Sequence, residues 1–357
     1  MVEKIQQTLR DSAAMRWMVL LLLAFAMFCS YIFMDILSPI KDLMQSTRGW
    51  DSTAFGTMQG SETFLNVFIF FLIFAGIILD KMGVRFTAIL SGVVMLVGAT
   101  INWYAVTESF QGSGLDTWFT NNLNYIPGFD ELGISPFYKG MPASPKFAAV
   151  GFIFGCGVEM AGITVSRGIV KWFKGREMAL AMGSEMALAR LGVASCMIFS
   201  PVFAKLGGYI DVSRSVAFGV ILLLVALIMF IVYFFMDKRL DAQTGEAEEK
   251  DDPFKISDLG KIMSSMGFWL VALLCVLYYS AIFPFQKYAV NMLQCNLTFT
   301  SVDPDSFWAT NTVTVIQYCI MLVVAAAAFA SNFSKSKGMK YGLLALAVVS
   351  LIIFCYM

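Results

Sequence analysis

There is no histidine anywhere in the 357 residues. That removes His-based general acid–base chemistry, Ser–His and Cys–His nucleophile pairs and imidazole metal ligation. Any proton handling must therefore use carboxylates. Charge is also scarce. Charged residues make up 14% of the chain, against roughly 25% in soluble domains, so an ordinary solvated globule is excluded. The seven cysteines lie mostly in apolar runs without a C-x-x-C spacing and read as small buried apolar residues rather than a disulfide framework. No metal, nucleotide or nucleic-acid motif occurs, so no cofactor is expected and an ATP-driven pump is disfavoured. With no basic domain outside the apolar runs, nucleic acid is not an expected partner. Residues 1–14 are polar and the first apolar run is too long for a signal-peptide core, so no cleavable signal is expected.

What the chain has in abundance is apolar length. Hydrophobic residues reach 58% and the mean hydropathy is +0.73. The charges bunch between runs long enough to cross a bilayer, about 20 residues each. The runs fall at about 16–40, 54–79, 86–106, 147–169, 177–204, 215–236, 267–285, 307–330 and 341–357, which predicts an all-α, multi-pass membrane protein. Residues 107–146, rich in Gly, Pro, Asn and aromatics (Trp118, Tyr125, Phe129, Phe137), read as a structured external loop. Residues 237–262 are a charged linker whose composition cannot build a core. Seventeen Lys and Arg fall in segments on the side of the amino terminus and seven on the other, which places that terminus in the cytoplasm. Gln59, Glu62 and Asn66 recur at helical spacing and share one face. A polar stripe against lipid is costly, so that face should line the bundle interior or a cavity.

The most informative stretch is Gly76-Ile-Ile-Leu-Asp80-Lys81-Met-Gly83-Val-Arg85, a short polar hinge between two apolar runs. Asp80 can cap a helix, Gly83 permits a tight reversal, and Lys81 and Arg85 hold the loop at the surface. This pattern resembles the loop between helices 2 and 3 of the major facilitator superfamily, with every defining position filled. The resemblance implies a fold of two six-helix bundles joined by a cytoplasmic linker. Here it gives a complete amino-terminal bundle over 15–236, the linker 237–262, and a partial bundle of about three helices over 263–357. The turn at 334–340 lacks the Gly and Asp of the hinge. The second half thus reads either as a truncated, degenerate copy or as one carrying an inserted hairpin. By the same resemblance this loop serves gating, not substrate contact: Asp80 caps the neighbouring helix, while Arg85 and Arg176 pair with carboxylates nearby.

Ionisable groups at membrane depth are functional candidates by default. Arg190 is the one basic residue placed near mid-membrane, with Glu159 and Glu185 as carboxylates at similar depth. In the superfamily the helices carrying them border the central cavity, so Arg190 and Glu159 can present one positive and one negative group to a zwitterion. The alternative is an Arg–Glu pair that only ties helices together. Lys171-Trp-Phe-Lys-Gly-Arg176-Glu177, Ala189-Arg190-Leu-Gly192, Tyr278-Tyr279-Ser280 and Phe283-Pro-Phe285 are similar to one branch, that of the lysosomal-type dipeptide uniporter and its bacterial relatives. That similarity implies that Glu159 and Arg190 contact the termini of a short peptide, with Tyr31 and Tyr279 as further cavity candidates. Glu62 is a candidate cavity residue or proton carrier, and Asp35 ranks below it. The expected function is transport of a small zwitterion by alternating access, working as a monomer in a bilayer, with protons as candidate co-substrates. The acidic dileucine signal of lysosomal sorting is absent from the leader, so a bacterial inner membrane is the expected location. An organic-anion porter using Arg190 alone and a non-transporting receptor on the same fold remain the alternatives. A membrane-embedded enzyme lacks the residues it would need.

Overall fold

Apolar runs of this length bury their backbone polar groups only as helices, because the bilayer core offers no hydrogen-bonding solvent. A computed structural model describes residues 8–123, 137–244, 260, 262–296, 311–334 and 336–356. Among these residues every regular element is a helix. In chain order they are α1 (Ala13–Met34), α2 (Lys41–Arg48), α3 (Ser52–Phe68), α4 (Phe71–Val106), α5 (Gly114–Asn122), α6 (Ala143–Val150), α7 (Ile153–Trp172), α8 (Met178–Ala204), α9 (Val212–Thr244), α10 (Met266–Asn296), α11 (Asn311–Phe333) and α12 (Lys337–Tyr356). Among the described residues seven helices, some formed by consecutive segments, are long and apolar enough to cross a membrane.

The chain divides into two compact units, Met1–Asn291 and Met292–Met357. In the first, α4 packs against α7 and α9, and α1 against α8 and α9. Close approach depends on small residues. A Cβ on Gly155 would run into the Glu62 carbonyl oxygen, and one on Gly192 would sit 2.5 Å from the Phe28 carbonyl oxygen. The second unit contains α11 packed on α12.

Three boundaries differ from the sequence reading. The run at 54–79 is not one helix. It breaks at Phe70, which takes a positive φ of 54°, although neither glycine nor proline stands there. The hinge, by contrast, is helical on both sides and turns on Gly83 alone, with φ 81° and ψ 164°, a backbone state that favours glycine. The linker begins later than its charge suggests. Residues 237–244 continue α9, and Asp237 is completely buried. Of the remaining linker, 245–259 and Lys261 lie outside the described residues, as do Tyr125 and Phe129 of the long loop. The described part of that loop is ordered around a small aromatic core of Phe110, Phe119 and Ala143, with Tyr104 and Phe147 packed on it.

Candidate functional site

Two helices carry most of the site. On α1, Tyr31 is followed one turn later by Asp35, just past the helix end. On α10, Tyr279, Phe283 and Lys287 recur every fourth residue, the spacing that lines one helix face. The two rows define two adjoining clusters, about one helical turn or 5.4 Å apart along the axis.

The first cluster gathers the residues that composition and spacing had singled out. Arg190, on α8, lies with its guanidinium carbon 5.6 Å from the centre of the Tyr31 ring and 5.9 Å from that of Phe283. Both distances fit a cation held against aromatic faces. Phe283 is itself stacked on Tyr279, centroids 5.0 Å apart. Glu159 of α7 and Glu185 of α8, together with Arg190 and Tyr279, lie within electrostatic reach of the Tyr31 hydroxyl. The Arg–Glu pair given above as the alternative does not form. Among the described residues no carboxylate comes within 4.0 Å of its guanidinium, and neither Glu159 nor Glu185 forms an ion pair. The cluster thus holds a cation and two carboxylates on two helices, α7 and α8, none paired with another among the described residues.

The second cluster is the opposite case. Lys287 places its Nζ 2.9 Å from Asp35 and 3.8 Å from Glu62, and the three side chains are only 14%, 6% and 4% exposed. The same ammonium donates a 2.5 Å hydrogen bond to the Met34 carbonyl, one of the unpaired carbonyls at the end of α1. Glu62 therefore sits with Lys287 and Asp35, not beside Arg190. The shared polar face of α3 does turn inward. Gln59 and Glu62 line a narrow crevice with Asn102 of α4, walled by Phe33, Met58 and Val216 and too tight to hold a water molecule. In it Gln59 Oε1 and both side-chain polar atoms of Asn102 are buried without hydrogen-bond partners. Beyond it Lys41 donates to Asn291 Oδ1 at 2.8 Å, and Asn291 Nδ2 to Asp42 at 2.9 Å, so α10 is tied again to α2.

The hinge residues meet at the other end of the bundle. Where the pattern suggested a helix cap, Asp80 instead accepts from Arg167 at 2.6 Å. Arg85 reaches Asp241 at 3.0 Å and Asp237 at 3.9 Å. Lys171 pairs with the same two aspartates at 2.7 and 2.8 Å, and Trp172 donates its indole N–H to Asp237 at 2.9 Å. Arg176 pairs with Asp11. Lys81 is exposed and, among the described residues, makes no ion pair. Gly76 has open space where a Cβ would stand.

Sequence reasoning missed Lys287, counted as an ordinary external charge, and Asp237 and Asp241, read as linker. The four-residue spacing of Tyr279, Phe283 and Lys287 was the available signal for the first. Nothing local distinguishes the two aspartates from their charged neighbours.

Comparison with known proteins adds the following. The sequence model of the Major Facilitator Superfamily matches residues 23–357. Among curated proteins, the chain is similar to the lysosomal dipeptide transporter MFSD1 of Homo sapiens, 25% identical over 281 residues, which is 76% of this chain and 52% of that protein. It is 26% identical to the Danio rerio protein of the same name over 282 residues, again 76% and 52%. To that of Gallus gallus it is 32% identical over 142 residues, 38% of this chain and 32% of the relative. The chain spans about half the length of the curated relatives it matches over most of its own.

Proposed function

The chain belongs to the major facilitator superfamily, and we propose that it transports a small zwitterion, a dipeptide or amino-acid-like solute, by alternating access. One observation carries the substrate reading: Arg190 lies between two aromatic rings with no ion-pair partner among the described residues. A guanidinium left in this state binds a carboxylate through paired, charge-assisted hydrogen bonds. Glu159, equally unpaired, takes the ammonium, and Tyr31 and Tyr279 wall the space between. The printed names of the relatives, dipeptide transporters, agree in chemistry.

The hinge network serves gating in this reading. Asp80–Arg167 and the Arg85–Lys171–Asp237–Asp241 cluster hold the inner ends of the amino-terminal helices at one spacing, while Arg176 ties α8 to the leader. Glu62, paired with Lys287, acts in the outer gate and not as a substrate ligand. Protons are candidate co-substrates, since a chain without histidine is left with carboxylates to carry them. The amino terminus is cytoplasmic by its Lys and Arg bias, the protein works as a monomer, and its membrane is a bacterial inner membrane. The relatives' names are lysosomal.

A second reading, an organic-anion porter, draws on the same unpaired Arg190. Binding by the reconstituted protein, followed by thermal shift, separates the two. An unmodified dipeptide should stabilise the wild type, its amino-acetylated and carboxy-amidated forms should not, and Arg190→Ala and Glu159→Gln should each remove the shift. Stabilisation by the acetylated form that survives Glu159→Gln would overturn the zwitterion reading in favour of the anion porter.

A further inference from the structure

The second cluster has a charge balance that its helices cannot keep through a transport cycle. One ammonium, Lys287, faces two carboxylates, Asp35 and Glu62; the carboxylates are buried and the lysine side chain is only 14% exposed. The set carries a formal charge of −1 while it is closed. Asp35 belongs to the end of α1 and Glu62 to α3, whereas Lys287 rides on α10. These are the two sides that alternating access must separate. When α10 leaves it takes the only cation with it, and the two carboxylates face each other in a low-dielectric pocket. Two like charges in such a place cannot both stay ionised.

What surrounds Glu62 fits a proton in its place. In the same crevice Asn102 Nδ2 lacks an acceptor, while Gln59 Oε1 and Asn102 Oδ1 lack hydrogen-bond donors. Asn102 is only 2% exposed and Gln59 9%. A carboxylate has no donor to give them, whereas a protonated carboxyl carries one O–H. The other groups in electrostatic reach are few. Lys287 and Asp35 act on Glu62, and Cys196 of α8 and Tyr288 of α10 lie near Lys287. Lys41, whose Nζ is 5.7 Å from the Tyr288 ring, is committed to Ser52 and Asn291. The helices α6 and α7, which also pack on α3, contribute Lys146, Cys156 and Glu159, while Arg167 and Lys171 of α7 belong to the hinge network.

We propose that Asp35 and Glu62 form a proton-binding site which Lys287 blocks in the closed state, so that opening of the gate between α10 and the α1–α3 helices is matched by uptake of one proton. This rests on the alternating-access reading and assigns a coupling ion to it. Lys287 is the internal competitor of that proton: either it or the proton neutralises the pair. The solute site one turn away keeps its own charges throughout.

The test uses the protein in lipid nanodiscs without any solute, so that failure of the dipeptide reading does not affect it. Spin labels at Ser46 on α2 and Phe285 on α10, both exposed, in a background free of native cysteines, report the gate distance. Between about pH 8 and about pH 5 the long-distance population of the wild type should rise, by on the order of tenfold per pH unit where one proton is taken up. Glu62→Gln, which supplies a permanently neutral side chain with its own donor, should hold the gate largely open with no pH dependence. Asp35→Asn should reduce the slope in the same way and covers the case in which the Glu62 variant does not fold. A wild-type distance that ignores pH, or a wild-type slope that persists in both variants, overturns the proposal.

Discussion

Arg190 and Lys287 occupy neighbouring positions in the same bundle and are treated in opposite ways. Both face α1, within one helical turn of each other; Arg190 contacts the row of residues on α10 and Lys287 belongs to it. Yet Arg190 rests on two aromatic rings without a carboxylate, while Lys287 is held by two carboxylates and a helix-end carbonyl. Aromatic faces offer a cation about 0.5–2 kcal/mol and leave its hydrogen-bond donors free. Carboxylates in a buried setting use those donors up. A cation of the first kind is available to something that comes and goes. One of the second kind locks the elements it joins, and it can be released only if the charge left behind is met.

The contrast is sharpest under substitution. Lys287→Met should produce the largest loss of stability, about 3–5 kcal/mol, because it strands two buried carboxylates. A large fall in melting temperature at neutral pH checks it, and adding Asp35→Asn and Glu62→Gln to the same protein should recover most of the loss. Arg190→Met should change stability by less than about 1 kcal/mol, since no ion pair is broken, while weakening solute binding by about 10–100-fold, as expected for loss of a charge-assisted pair worth roughly 1.5–3 kcal/mol. Comparing melting temperature with dipeptide affinity separates the roles of the two cations. If both variants unfold alike, or both bind alike, the distinction between latch and ligand site fails.

A smaller effect belongs to the loop outside the membrane, where Tyr138 donates a 2.7 Å hydrogen bond to Asp51 and Asp51 also caps α3 through the Ala54 N–H. Burial and the Asp51 carboxylate push the Tyr138 hydroxyl up to about 12. The Ala54 and Tyr138 donors hold Asp51 below the usual carboxylate value. Tyr138→Phe should therefore cost about 1 kcal/mol. The gap from wild type should be full between roughly pH 5 and pH 9. It should close above about pH 10, where the unfolded tyrosine ionises and the folded one follows only near 12, and below about pH 4, as Asp51 takes up its proton. Melting curves across that range give the readout.

Much of this was legible in the residues. The hinge stood out because a glycine, a carboxylate and two cations interrupt two apolar runs. Gly83 takes the positive φ that a tight reversal asks for, while Arg85, read from spacing as a surface anchor, pairs with Asp241. Arg190 and Glu159 were legible because an ionisable group inside an apolar run stands out from its neighbours, and Tyr279 because its run is similar to that of the dipeptide-transporter branch; Tyr31 ranked lower. They do come together. Lys287 did not stand out, since it follows the apolar run of α10 and looks like any charge at a membrane surface. Asp237 was hidden by the charged segment that continues from it, although α9 carries it into full burial against Trp172 and Lys171.

The sequence by itself determined that this chain is a set of membrane-length helices, where its hinge turns and which residues are too polar to face lipid. Those properties follow from composition and from local backbone physics, which act within a turn or two along the chain. Which cation is paired and which is left open was decided by the tertiary structure alone. That outcome depends on distances of 3 or 4 Å between side chains on different helices, and the spacing along one strand of sequence does not contain them.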